Sequence, residues 1–369
     1  MRYGFTLILL VGFIGVSCAF QNDEVPIERI SLPVGFQIKE YARVPNARSM
    51  VISPSGVVYV GTRSKGDVYA VLDLNKDGIG DKVYKIDDGL RMPNGVAFKD
   101  GDLYVAEVSR ILKYVDIEQH LGSPPDPEVV YDKYPTEGHH GWKYIAFGPD
   151  GKLYVPVGAP CNVCDEDNEI YASITRIDVS NPKPEVIARG VRNSVGFDWD
   201  PETGDLWFTD NGRDMMGDDI PPCELNHLSK TGEHFGFPYC HGGDIPDPKY
   251  GKEHPCSEFI IPAWRFTAHV APLGMKFYTG KMFPTKYKNA VFVAQHGSWN
   301  RSVKSGYKVM VGFKEGNEIT SMKEFAKGWL NDATQQAWGR PVALLQMADG
   351  SLLLSDDYAG VIYRITYTP

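Results

Sequence analysis

The sequence is short of positive charge. It has 38 Lys and Arg residues against 47 Asp and Glu residues, which gives a formal net charge of −9. An acidic chain repels the phosphate groups of nucleic acids and of anionic membrane surfaces. The balance therefore argues against nucleic acid as a partner.

Long hydrophobic runs are also missing, except at the N-terminus. Residues 1–19 combine Arg2, an apolar run from Phe5 to Val16 and small residues around Cys18, which is the pattern of an export signal peptide. The run is too short for a good transmembrane span. Cys18 leaves two readings open, a cleaved signal or the lipid anchor of a bacterial lipoprotein. We expect a periplasmic or secreted protein.

Cysteine is scarce, and its spacing excludes two kinds of metal site. Cys161 and Cys164 form a single CxxC pair followed by Asp165, so the histidine of a c-type haem attachment site is absent. No second CxxC pair exists to complete a zinc site. In an exported protein the pair predicts a local disulfide. One more bridge and one odd thiol are then expected, and the sequence leaves the pairing open among Cys223, Cys240 and Cys256.

Glycine, proline and aromatic residues are plentiful and recur in repeats. A pattern of turn, strand, turn and strand begins six times, at Ile52, Phe98, Phe147, Trp199, Lys288 and Met347. Most of its turns are D-G or P-x-G flanked by alternating apolar residues, which is typical of β-hairpins. Such repeats without helical periodicity predict an all-β fold, a six-bladed β-propeller. We expect residues 32–369 to form this one domain; two unrelated β domains are the alternative.

Six loops beside the predicted strands are rich in polar residues. They lie at 138–142, 190–196, 209–226, 267–274, 295–302 and 337–344. Because the loops of successive blades converge at one end of a propeller channel, their side chains can share a pocket. Arg, Asn and His beside Trp299 and Trp338 suit a planar polyanion and a base for a substrate hydroxyl. Taken singly, a loop arginine or histidine is more often a surface or structural residue.

The same segments resemble a known family. They include "HHGWKYIAFGPDGKLYV", "CNVC", "ARGVRNSVGFDWDPETGDLWFTDNGRD", "HGSWNRS", "WGRPV" and "LLLSDDYAGVIYRITY". From about Leu32 to Tyr367 the chain resembles the sorbosone dehydrogenase group, six-bladed propellers related to soluble aldose dehydrogenases that depend on pyrroloquinoline quinone (PQQ). The resemblance implies an exported PQQ- and calcium-dependent enzyme that oxidises an aldose or a related sugar by hydride transfer.

The resemblance implies roles for residues that face the reaction. The family's general base is a histidine eight residues before the glycine of the GPD turn, and counting back from Gly148 gives His140. Arg192 and Asn193 match the R-N pair that contacts the quinone. His139 stands where soluble glucose dehydrogenases have no second histidine.

Further residues are implied at the carboxylates of the cofactor. Arg340 matches an arginine that binds one of them, while Trp338 stands where a second arginine is missing. Glucose dehydrogenases have a lysine in the fifth-blade loop, and His296 or Arg301 would take its place here.

Two places are predicted to bind calcium. The resemblance assigns the backbone carbonyls of Gly212 and Arg213 to a calcium ion that bridges to the cofactor, with Arg213 in place of a proline. Independently, "DLNKDGIGD" places oxygen-bearing side chains at the spacing of a calcium loop. They are Asp73, Asn75, Asp77 and Asp81. An ordinary Asp/Asn/Gly turn is the alternative, because Tyr84 stands where an EF-hand loop has glutamate.

Two other functions are weighed against the dehydrogenase. A lactonase-type hydrolase with one calcium would place carboxylates in the channel, whereas these loops carry Arg, Asn and His. A propeller that only binds a sugar or another ligand would not need His140, Arg192 and Arg340 together. For the dehydrogenase we expect a small sugar substrate and a cytochrome c or a quinone as electron acceptor.

Overall fold

Six sheets, each with four antiparallel strands, form the framework of residues 25–369, the part of the chain that the computed structural model describes. Each sheet is one blade, and the first strands of neighbouring blades pack side by side around a central channel. The predicted six-bladed β-propeller is confirmed. The signal-like segment 1–19, with Cys18, lies outside the described residues.

The first three blades are meanders whose four strands follow one another in the chain. Blade 1 contains Ala47–Ile52, Val58–Thr62, Val68–Leu72 and Lys82–Asp87; blade 2 contains Gly95–Lys99, Asp102–Ala106, Ile111–Tyr114 and Glu128–Tyr131; blade 3 contains Ala146–Phe147, Leu153–Val157, Ser173–Ile177 and Glu185–Arg189. We call the four strands of each blade A to D, from the channel outward.

The last three blades include a long insertion and the closure of the ring. Blade 4 contains Phe197–Trp199, Leu206–Asp210, Pro222–Leu228 and Trp264–Ala268; blade 5 contains Pro272–Phe277, Val291–Gln295, Lys308–Glu315 and Glu318–Lys327; blade 6 contains Pro341–Gln346, Leu352–Asp356, Val361–Tyr367 and the N-terminal strand Phe36–Arg43.

The ring is closed by the two ends of the propeller. Phe36–Arg43 forms strand D of blade 6 and pairs antiparallel with Val361–Tyr367, from Phe36 opposite Tyr367 to Arg43 opposite Val361. Closure of this kind leaves no open gap between the first blade and the last.

The strands are apolar on both faces because each blade is covered by a neighbour on either side. Val58 and Val60 pack towards blade 6, where they join Leu353. Tyr59, between them in sequence, points the other way and joins Leu103 of blade 2. Successive side chains of a strand point to opposite faces, so one strand serves two interfaces.

Elements outside the blades are short. Helical structure within residues 25–369 is limited to four 3-10 turns, Ile27–Arg29, Ile117–His120, Cys256–Glu258 and Thr285–Tyr287. The remaining strands are Glu233–His234, which runs parallel to strand D of blade 3, and the pairs Cys240–His241 with Ile245–Pro246 and Leu330–Asn331 with Gln336–Ala337. No helix in the described part of the chain is long and apolar enough to cross a membrane.

Within the described residues two disulfides bridge the loops. The predicted Cys161–Cys164 bridge is confirmed, and it closes the loop after strand B of blade 3. Cys240 pairs with Cys256 inside the insertion of blade 4. Cys223 is therefore the odd thiol, and it is buried.

Candidate active site

A cavity of about 550 Å³ opens at one end of the channel. Its walls come from the loops that lead into strands A and from the loops between strands B and C. Eight residues singled out in the sequence line it, namely His139, His140, Arg192, Asn193, Gly212, His296, Trp299 and Arg340. The fold thus brings together side chains from the loops of blades 3 to 6.

His140 lies in the loop before blade 3 and is 7% exposed. Its Nδ1 is 2.9 Å from the carbonyl oxygen of Ala159. Since a carbonyl only accepts hydrogen bonds, Nδ1 carries the proton and Nε2 keeps its lone pair. Burial, then the charge of Arg192 and the neighbouring His139, lower the pKa of His140 to about 2. The imidazole is therefore neutral at physiological pH.

A close backbone approach holds His140 in place. Its φ is +49°, in the left-handed region that non-glycine residues rarely adopt. Gly158 passes so near that a Cβ there would lie 2.5 Å from the Cβ of His140. His139, next to it, is exposed at the cavity wall, and the two imidazole centroids are 4.0 Å apart.

The Arg192–Asn193 pair is fixed from below by a buried carboxyl group. Asp210 accepts hydrogen bonds from the backbone N–H of Arg192 at 2.8 Å and of Asn193 at 2.6 Å. Burial, and then the nearby Glu224, raise the pKa of Asp210 to about 7. The backbone hydrogen bonds offset part of the cost of burying this group.

The guanidinium of Arg192 lies in a nest of oxygen atoms. It donates to the carbonyls of Asn162, Asn211 and Gly212 at 2.8, 3.1 and 3.0 Å, and its Nη2 is 3.3 Å from a carboxylate oxygen of Asp214. Nη2 also donates to the side-chain oxygen of Asn162 at 2.9 Å, so the guanidinium makes five hydrogen bonds and is held firmly.

The predicted calcium site at Gly212 has suitable donor atoms, because carbonyl and carboxylate oxygens are the ligands that calcium prefers. The Gly212 carbonyl accepts one hydrogen bond from Arg192, so its second lone pair is the one that could face a calcium ion. The side chain of Arg213 points away and pairs with the buried Asp247. Among residues 25–369 no three His, Cys, Asp or Glu side chains are grouped to hold a metal ion.

On the other side of the cavity, Arg340 bridges into blade 5. Its Nε donates to the carbonyl of His296 at 3.0 Å and its Nη2 to that of Gly297 at 2.6 Å. The Nε2 of His296 is 2.8 Å from Asp357. Burial lowers the pKa of His296 to about 4, against the effect of Asp357. His296 is therefore uncharged at neutral pH and does not supply the positive charge of a lysine.

Arg301, the other residue considered for that role, does not line the cavity. Its guanidinium pairs with Asp219 at 2.8 Å and donates to the carbonyl of Asp218. Trp299, two residues earlier, does line the cavity and is 68% exposed.

The matching family model, described as TrAA12-like, covers residues 31–368. The chain belongs to the TrAA12-like family. Over 353 residues it is 32% identical to an uncharacterized protein of Borreliella burgdorferi, which covers 92% of this chain and 91% of that protein. Over 124 residues it is also 32% identical to a pyrroloquinoline quinone-dependent pyranose dehydrogenase of Coprinopsis cinerea; this match covers 29% of the chain and 16% of the enzyme.

Solved structures share the fold of this TrAA12-like protein. The calcium structure of a Trichoderma reesei carbohydrate-active enzyme of family AA12 superposes with a TM-score of 0.82 at 20% identity, over 95% of this chain and 100% of the other. The holo PQQ domain of the Coprinopsis cinerea pyranose dehydrogenase gives 0.78 at 18% identity, over 91% and 97%. The family relationship predicted from the sequence is confirmed.

The second predicted calcium segment of the TrAA12-like chain lies elsewhere. It joins strands C and D of blade 1, so it lies at the end of the propeller opposite to the cavity. Asp73 accepts hydrogen bonds from the N–H of Asp77 and Gly78, and Asp81 from those of Leu74 and Asn75. These contacts are those of an Asx-rich turn, and the same oxygen atoms remain the predicted ligands.

Two arginines of the cavity were not identified from the sequence. Arg48 opens blade 1 and pairs with Asp357 at 2.6 Å, and Arg63 follows strand B of the same blade. Arg63 directly follows strand B of blade 1, as Asn211 directly follows strand B of blade 4. That equivalence is the signal that could have identified it.

Proposed function

We propose that the protein is an exported PQQ-dependent dehydrogenase that oxidises an aldose or a related sugar, such as a sorbosone-like compound. The observation that carries this proposal is His140, a neutral imidazole with a free Nε2, in one cavity with Arg192 and Arg340. The name of the Coprinopsis cinerea relative supports the cofactor and the class of substrate.

The residues fit a planar, anionic cofactor. Arg340 can offer the remaining N–H groups of its guanidinium to a carboxylate, and Asn193 lies beside Arg192 at the opposite wall. The carbonyls of Gly212 and Arg213 would hold calcium. When bound, PQQ supplies a quinone carbon that accepts hydride, and calcium acts on that quinone as a Lewis acid.

The chain itself contributes a base, orientation and charge. Nε2 of His140 takes the proton of the substrate hydroxyl, because it is the ring nitrogen with a free lone pair. For this role the carboxylates of a bound cofactor would have to raise the pKa of His140 above the low value that burial and Arg192 set. The Ala159 carbonyl then stabilises the imidazolium through Nδ1–H. A lactonase is less well supported, because Asp214 is the one carboxylate among the side chains that line the cavity.

Export is proposed from the N-terminal segment, with or without a lipid anchor at Cys18. The two disulfides in the described residues support an oxidising compartment.

The sequence has no haem-attachment motif of its own. A separate cytochrome c or a quinone would therefore reoxidise the cofactor.

The test is a spectrum of the purified apoprotein after addition of PQQ and calcium. We expect a bound quinone at micromolar cofactor, with an absorption that an aldose bleaches. A quinone that binds but is not reduced by any sugar would favour the ligand-binding propeller, and no binding at micromolar PQQ would refute the proposal.

A further inference from the structure

The guanidinium of Arg63 lies over the indole ring of Trp142 in the wall of the cavity. The guanidinium carbon is 3.7 Å from the ring centroid, which is a close cation–π contact. Within residues 25–369 no hydrogen-bond acceptor and no carboxylate contacts its guanidinium. A stacked arginine of this kind keeps the edge of its fork free for a ligand.

The four arginines that line the cavity differ in how their charge is compensated. Arg192 has Asp214 at 3.3 Å, and Arg48 has Asp357 at 2.6 Å. Arg340 donates only to uncharged carbonyls of blade 5 through its side chain. Arg63 has neither kind of hydrogen-bond partner, so within the described residues neither Arg63 nor Arg340 contacts a carboxylate.

Arg63 and Arg340, the two arginines that contact no carboxylate, line the same cavity. Burial, and then the charge of Arg48, lower the pKa of Arg63 to about 10; Asp357 opposes this shift and Arg340 adds to it. Arg63 stays protonated at neutral pH, yet it is half-buried near other cations. An anionic ligand placed between Arg63 and Arg340 would relieve this repulsion, whereas an uncharged sugar would not.

Trp338 stands where the related enzymes have a second arginine, and it cannot bind an anionic ligand. Trp338 donates from its Nε1 to the carbonyl of Gly328 at 2.7 Å and stacks on Trp329. It belongs to the packing between blades 5 and 6 and does not line the cavity.

We propose that Arg63, from blade 1, is the second carboxylate-binding arginine of the cofactor site and acts together with Arg340. The inference rests on the proposed function, because it takes the anionic ligand to be PQQ. Arg63, in blade 1, would then have the role that an arginine at position 338 would have at the start of blade 6.

The experiment is a titration of the apoprotein with PQQ in the presence of calcium, followed by tryptophan fluorescence and independent of turnover. A charge-assisted bidentate contact is worth about 1.5–3 kcal/mol, so Arg63→Gln should weaken the Kd about 10- to 100-fold. Arg63→Lys should recover part of this loss. Lys65→Gln, which removes the same charge from an exposed site of the same loop, is the matched control and should bind like the wild type.

A second ligand makes the assignment specific. The trimethyl ester of PQQ has no carboxylates, so the wild type should bind it much more weakly than PQQ, and Arg63→Gln should reduce that preference. Circular dichroism and the Tm establish that each variant is folded.

A Kd for Arg63→Gln within about twofold of the wild type would overturn the inference and leave the proposed function intact. If the KM for the sugar is raised at the same time, Arg63 binds the substrate and not the cofactor. A wild type that does not bind PQQ would overturn both proposals.

Discussion

The Nδ1 atom of His140 and the carbonyl oxygen of Ala159 are 2.9 Å apart, and this hydrogen bond leaves Nε2 as the basic nitrogen. His140 precedes strand A of blade 3 and Ala159 follows strand B of the same blade, so the blade positions the imidazole. The left-handed backbone of His140 adds to this, since it persists only where its surroundings enforce it.

Loss of His140 should affect the reaction and spare cofactor binding. At saturating cofactor, His140→Ala should lower kcat about 10²–10⁴-fold, the usual cost of losing a positioned base. The PQQ titration should be nearly unchanged. His139→Ala is the matched control, and its loss should be milder because the ring is exposed. A dead His139 variant beside a normal His140 variant would identify His139 as the base. If both variants keep the full rate, His269 and His296 are the next to test.

Gly158→Ala tests whether the position of His140 matters. The new methyl group would meet the Cβ of His140 at 2.5 Å and its carbonyl at 2.8 Å, and these backbone-linked atoms cannot swing away. We expect about 1–3 kcal/mol less stability, as for other overpacked sites, together with a reduced kcat. Gly122→Ala is the control, since its nearest neighbour is 3.8 Å away. An unchanged kcat would show that the loop tolerates displacement.

Arg340→Ala should act on the cofactor and not on the chemistry. Weaker PQQ binding is expected, with activity partly restored by excess cofactor, because the side chain would hold a carboxylate throughout the cycle. Arg340→Lys should restore binding only in part, since an ammonium group cannot form the two-pronged contact. The measurements are the PQQ Kd and kcat at saturating PQQ; a lower kcat with a normal Kd would contradict the assignment.

Lys143 predicts how stability depends on pH. It is buried, with a single carbonyl acceptor on Gly141, and burial lowers its pKa from 10.5 to about 7. Between these values the unfolded chain binds more protons, so the free energy of unfolding falls as the pH falls, by about 1.4 kcal/mol per unit. Lys143→Met should remove this slope in denaturant unfolding between pH 7.5 and 9, whereas exposed Lys183→Met should keep it. Parallel slopes for all three proteins would contradict the prediction.

Calcium removal tests the segment from Asp73 to Asp81. If the loop binds calcium, a chelator should lower the Tm of the wild type, because an ion that binds only the folded state stabilises it. The Tm of Asp77→Ala should equal that of the chelator-treated wild type, whether or not calcium is present. A wild-type Tm that does not respond to the chelator would identify an ordinary turn.

Much of the fold was predictable because the repeats carry it. The turn glycines and alternating apolar residues of each copy mark two adjacent strands of a blade, so six copies predict six blades. The identity of the closing strand was not predictable, because Phe36–Arg43 has no turn of its own in the pattern and pairs with residues at the other end of the chain.

The site was predictable where a residue has a motif and not where only geometry selects it. His140 and Arg340 lie in motifs that the resemblance covers, and both line the cavity. Which of His296 and Arg301 lines the cavity was not predictable, because it depends on the Asp218 carbonyl and the Asp219 carboxylate that bind the guanidinium of Arg301 elsewhere. The pairing of Cys240 with Cys256 likewise depended on how the insertion folds back.

The pairing of Phe36–Arg43 with Val361–Tyr367 also sets a condition on when the protein can fold. Blade 6 lacks its outer strand until the first strand of the propeller meets the last, and contacts so distant in sequence form slowly. The ring therefore completes only after the strand Val361–Tyr367 has emerged from the ribosome. For the proposed export this delay would be useful, because the chain stays incompletely folded while it is still being synthesised. For the same reason, a truncation that removes either strand should open the ring rather than shorten it by one blade.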